Sequence, residues 1–130
     1  MIYIDTSALV KLLFEEPESS ALSNWLTEQY ETSKISSDLA TVELLRTCHR
    51  IDESLVRDAR RLLDGIDLVP ISHEIVEEAA ILNPHKLRSL DAIHLASALS
   101  LSEDLAGFVA YDARLCSAAT DAGLRVVSPA

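Results

Sequence analysis

The chain has 130 residues, of which 48% are hydrophobic, with only three Gly and four Pro; this bounds it to one globular domain over residues 1–130 without a long linker. Twenty-one acids against eleven bases give a formal charge of −10, which argues against passive nucleic-acid binding but not against an enzyme whose acids hold cations. The N-terminus has no basic stretch, Asp5 interrupts its apolar run, and no segment reaches roughly 18 apolar residues without a charge, so a cytoplasmic location away from the membrane is expected.

In chain order, Ile2–Ile4 predicts a strand, and Ser7–Phe14 and Glu18–Glu31 predict helices. Lys34–Ser37 predicts a second strand, with Ser37 or Asp38 capping a helix over Leu39–His49. Asp52–Leu63 reads as a further helix stopped near Gly65. Leu68–Ile71 predicts a strand, Ser72 opens a helix to about Leu82, and Asn83-Pro84 breaks it. An apolar helix from Ser89 or Leu90 to about Leu101 follows, then a strand over Ala106–Tyr111 and a helix over Ala113–Ala122. Beyond Gly123, Arg125–Val127 predicts the last strand. Strands alternating with helices indicate an α/β fold: a parallel sheet of about five strands in a three-layer α/β/α arrangement. Cys48 and Cys116 lie far apart with no second cysteine near either, and are expected as small buried residues in a reducing compartment.

Four acids stand where their neighbours are apolar. Asp5 and Asp112 each follow a predicted strand, at the sheet edge where α/β proteins bind ligands. Glu43, in DLATVELLRTCHR, and Asp91, in LRSLDAIHLASALSL, lie within apolar helices. Each has a plain structural explanation: Asp5, Asp91 and Asp112 as helix caps, Glu43 as the partner of Arg46 or Arg50. Four such acids at one end of one sheet support a second explanation. Clustered carboxylates repel and persist where hard cations neutralise them, and an oxygen-only set favours magnesium or manganese over zinc. Hydrolysis of a phosphodiester is the chemistry such a site supports.

The order of YIDTSAL, TVELLR, LRSLDAIHLASAL and VAYDARL resembles PIN-domain ribonucleases, and specifically the VapC toxins of bacterial toxin–antitoxin pairs, from residue 2 to about 127. The resemblance implies the PIN-like fold and places the acidic quartet on Asp5, Glu43, Asp91 and Asp112. It also implies a Mg2+- or Mn2+-dependent endoribonuclease acting on RNA, a homodimer, and neutralisation by a VapB-type antitoxin. Thr6 or Ser7 would orient Asp5 or a water. The chain departs from the family at Ala110, where a hydroxyl residue often stands two places before the last acid.

Beside the quartet, Arg88 is a candidate phosphate ligand, and His94 is either a satisfied helix histidine or a candidate for orienting an acid or touching substrate. Arg114 either meets the scissile phosphate or pairs with a neighbouring acid. Arg46, Arg50, Arg57, Arg60 and Arg61 form either an RNA-contacting group or a solvated helix face. Leu22, Trp25 and Tyr30, at helical spacing, read as a packed helix face or dimer contact rather than a base-stacking platform. Two other enzyme classes fail on residues. A dehalogenase-type phosphatase needs a second Asp where Ser7 stands, and a receiver domain needs an Asp after the third strand, which here ends LVPIS. The remaining alternatives are a PIN-like binding or regulatory module without turnover and a housekeeping RNA-processing nuclease.

Overall fold

The three apolar residues that open the chain form the middle strand of the sheet. In a computed structural model describing residues 1–130, β1 (Ile2–Ile4) pairs in parallel with β2 (Lys34–Ser37) on one side and β4 (Gly107–Val109) on the other. β3 (Asp67–Val69) adds to β2 and β5 (Val126–Val127) to β4, giving five parallel strands in the order β3-β2-β1-β4-β5. The intervening helices are α1 (Thr6–Leu13), α2 (Ser19–Glu28), α3 (Asp38–Ile51), α4 (Val56–Asp64), α5 (His73–Ile81), α6 (Ser89–Leu99) and α7 (Ala113–Asp121). The resulting three-layer fold is PIN-like.

Alternation along β1 decides which helices pack where. Ile2 and Ile4 face a core shared with Ala8 and Leu9 of α1, Leu22 of α2, Ala40, Leu44 and Cys48 of α3, and Ala59 and Leu63 of α4. Tyr3 points the other way, into Phe108 of β4, Leu95 and Ala98 of α6, and Leu115, Ala118 and Ala119 of α7. Its ring stacks on Phe108 at a centroid distance of 5.3 Å. Both faces of the sheet are thus covered, as an all-parallel sheet requires.

Element ends depart from the sequence expectations where polar groups intervene. The helix expected over Asp52–Leu63 is broken: Asp52 is extended at φ −156°, its carboxylate accepts the Ser54 amide, and Glu53–Leu55 forms a 3-10 turn before α4. β3 stops at Val69 because Pro70 has no N–H to continue the ladder. α2 ends at Glu28, so Leu22 is buried and Trp25 packs on the core, while Tyr30 lies beyond the helix and 77% exposed. The packed face read over these three residues therefore ends at Trp25. Cys48 is buried as expected, whereas Cys116 is only half-buried. α7 closes at Ala122, and Gly123 takes the left-handed φ of 94° that ends helices.

Candidate active site

The sheet order reverses between β1 and β4, and a crevice opens at such a switch point beyond the carboxyl ends of the strands. Asp5 follows β1 and Asp112 follows the β4 segment, so both acids flank that crevice. Both also cap helices. Asp5 Oδ2 accepts the Ser7 amide at 3.1 Å and the Ser7 hydroxyl at 2.7 Å. Asp112 Oδ1 accepts the Leu115 amide at 3.0 Å. In each case capping uses one oxygen and leaves the other free of any backbone bond. The capping and functional explanations are therefore compatible.

Glu43 arrives from α3. It pairs with neither Arg46 nor Arg50; instead Thr6 Oγ1 donates to its Oε1 at 2.8 Å and His94 Nε2 stands 2.6 Å from the same oxygen. His94 is wholly buried on α6, and its Nδ1 lies 2.8 Å from the Tyr3 hydroxyl. Burial pushes the imidazole pKa down, but the bond to Glu43 and the charges of Asp5, Glu43 and Asp91 outweigh it and hold the pKa above its ordinary value. When protonated, the ring donates through both nitrogens, to Glu43 and to Tyr3. Burial pushes Glu43 up, yet His94 and Thr6 prevail and keep its carboxyl below the ordinary range. His94 holds the Glu43 carboxylate and has no exposed surface. Tyr3 escaped the sequence reading because an apolar strand gives no sign that one of its hydroxyls anchors a histidine 91 residues away.

Asp91 lies in the first turn of α6, whose N-cap is Arg88, so it does not cap the helix. Arg88 Nε donates to Asp91 Oδ2 at 3.2 Å, and Arg88 Nη2 stands 3.5 Å from Asp112 Oδ2. Burial raises the Asp91 pKa, and the charges of Asp5 and Asp112 raise it further against the pull of Arg88. The three aspartates therefore share one electrostatic environment, fed by β1, α6 and the β4–α7 junction. Ser7 ties the strands together by accepting the Tyr111 amide at 3.2 Å while its hydroxyl donates to Asp5. At Ala110 the hydroxyl of the family pattern is missing, and Asp112 is held by the Leu115 amide instead.

Arg114 is exposed and pairs with none of the four acids. Arg46, His49 and Arg50 line a shallow hollow outside the crevice, and Arg57, Arg60 and Arg61 are exposed on α4.

The donor set suits a hard cation. Asp5 Oδ1, Asp91 Oδ1 and Asp112 Oδ2 accept no backbone bond, and a guanidinium already bridges two of these carboxylates. As the side chains stand, however, no three acidic, histidine or cysteine groups are close enough to enclose an ion.

The PIN-domain family profile matches residues 2–121. The chain belongs to the PIN-domain family, among its VapC members. Two Mycobacterium tuberculosis relatives carry this assignment. Ribonuclease VapC47 is 44% identical over 99% of this chain and 97% of its own length. Ribonuclease VapC46 is 41% identical over 98% and 97%. Solved structures agree in fold. M. tuberculosis VapC20, described as a sarcin–ricin-loop-cleaving toxin, superposes with a TM-score of 0.76 at 16% identity, covering 99% of this chain and 100% of that one. VapBC2 of Rickettsia felis, bound to a DNA fragment from its promoter, gives 0.77 at 14% identity with 100% coverage of both. This PIN domain has no helix long and apolar enough to cross a membrane.

Proposed function

We propose that the chain is a single PIN domain over residues 1–130 acting as a divalent-metal-dependent endoribonuclease, the toxin of a type II toxin–antitoxin pair in the cytoplasm. The observation that carries this reading is the convergence of Asp5, Asp91 and Asp112 on the switch-point crevice, each with an oxygen free of backbone bonds, beside a Glu43 whose carboxyl is kept below the ordinary range. In this reading the three aspartates hold Mg2+ or Mn2+. The ion, when bound, lowers the pKa of water and neutralises charge on the phosphate. Glu43 Oε1 is fully engaged by Thr6 and His94. Oε2 accepts no hydrogen bond, so this oxygen takes the proton of the attacking water. Ser7 keeps Asp5 aimed at the crevice, and the exposed Arg114, two residues after Asp112, would meet the RNA backbone.

The ribonuclease names of relatives at 44% and 41% identity support the activity. The net charge of −10 suits a VapB-type antitoxin that brings a basic segment to the acidic crevice. A homodimer is supported by Val76 and Ile81 of α5 and Leu90 of α6, apolar residues 46%, 66% and 48% exposed. Ala110 is the one residue that favours the non-catalytic alternative; Asp112 beyond it is held by the Leu115 amide.

The test uses Asp5→Asn, because Asn also caps helices and the fold should survive. Purified wild type, incubated with structured RNA and Mg2+ or Mn2+, is expected to yield discrete fragments. EDTA should abolish them, and the variant should lose at least about a hundredfold in rate, the scale of losing a principal charge at a reacting centre. Metal-independent cleavage, or full activity of Asp5→Asn, would overturn the reading.

A further inference from the structure

Arg88 is the only arginine that pairs with an acid, and it pairs with two. Its fork spans Asp91 on α6 and Asp112 at the start of α7, side chains that meet only because the topology sets β4 beside β1. The guanidinium is itself 72% exposed, whereas the Asp91 side chain is 15% exposed. An exposed cation thus spans one carboxylate mostly withdrawn from water and a second, Asp112, that is 37% exposed.

Asp112 Oδ1 is committed to the Leu115 amide, so Oδ2, the oxygen facing Arg88, is the one that carboxylate has left to offer. A divalent ion sits roughly 2.0–2.2 Å from a carboxylate oxygen. It would meet the like charge of a guanidinium lying 3.2 and 3.5 Å from the same pair of carboxylates. At Asp112 ion and guanidinium would share one oxygen, Oδ2, and at Asp91 they would share the charge of one carboxylate through different oxygens.

We infer that Arg88 is an internal counter-cation that competes with the divalent ion for Asp91 and Asp112, and so sets the ion concentration at which the site loads. This rests on the metal-binding reading given above. Loading frees the guanidinium at the mouth of the crevice, where nothing else holds it. Arg88 is thus a positioning residue: it keeps the two carboxylates together in the unloaded protein and yields them to the ion.

The test is a calorimetric titration of Mn2+ into metal-stripped, full-length protein. It compares wild type with Arg88→Gln, Arg88→Lys, Lys86→Gln and Asp91→Asn, each checked for folding by circular dichroism. Arg88→Gln should bind Mn2+ about tenfold more tightly than wild type, since a full like charge leaves the ion's immediate neighbourhood. Arg88→Lys, which keeps the charge but not the two-pronged fork, should fall between them. Lys86→Gln removes an exposed, unpaired charge two residues away and should change affinity by less than about twofold, because solvent screens it. Equal or weaker binding by Arg88→Gln would overturn the inference, as would an equal gain in Lys86→Gln. If wild type binds and Asp91→Asn does not, the metal reading stands whatever Arg88 does. If neither wild type nor Arg88→Gln binds Mn2+, both fall.

Discussion

Replacing His94 by Phe keeps a ring of similar size in a site with no exposed surface and deletes both nitrogens. The Tyr3 oxygen, equally buried, loses its 2.8 Å donor at a cost of about 1–3 kcal/mol. Ser36 and Ser97 beside the Tyr3 hydroxyl already donate to the Ile4 and Ile93 carbonyls, so they can accept from it but do not replace the lost donor. Glu43 keeps the Thr6 bond and is 24% exposed, so water offsets part of its lost 2.6 Å contact and about 1 kcal/mol remains. The sum is about 2–4 kcal/mol, or roughly 6–14 °C in Tm for a chain of this size. Folding should survive at 25 °C, since domains hold about 5–15 kcal/mol.

The pH dependence follows from the two shifts. His94 is raised, so its contribution is complete below its ordinary 6.5 and fades as pH climbs through its folded pKa. Glu43 is lowered, so its share is complete above its ordinary 4.5 and fades as pH falls through its folded pKa. The gap between wild type and His94→Phe should therefore be widest between those two ordinary values and shrink on the alkaline side. Urea unfolding in EDTA at several pH values measures it. A variant as stable as wild type, or a gap flat from acid to alkaline pH, would refute the idea that a charged imidazole braces Glu43.

Leu44→Ala, at a wholly buried position of α3, should cost about 2–5 kcal/mol, and a smaller loss by denaturant titration would show that the core collapses into the space. Thr6→Val removes the hydroxyl bonded to Glu43 and should lower cleavage several-fold with a smaller fall in Tm than His94→Phe, read by RNA turnover and thermal melting in parallel. Ile81→Glu should shift the protein toward monomer in sedimentation equilibrium if α5 packs against a second copy; an unchanged mass would place any dimer elsewhere.

Much of this protein is determined by local chemistry. The apolar triplet of β1, the capping by Ser37 and Ser72, and the break at Asn83-Pro84 act within a few residues, so the alternation of strands and helices is legible without coordinates. The two acids after strands were also legible, because a charge ending a buried strand needs a reason. Element ends were less so: Asp52 could continue a helix or, as it does, cap a 3-10 turn. Partnerships depended on tertiary structure. Glu43 has arginines one and two turns away on its own helix, yet its contacts are Thr6 and His94, 37 and 51 residues distant. Arg88 could meet Asp112 only after β4 took its place beside β1. Sequence spacing fixes what shares a helix face, whereas the parallel sheet, by setting distant strand ends side by side, decides which charges must answer one another.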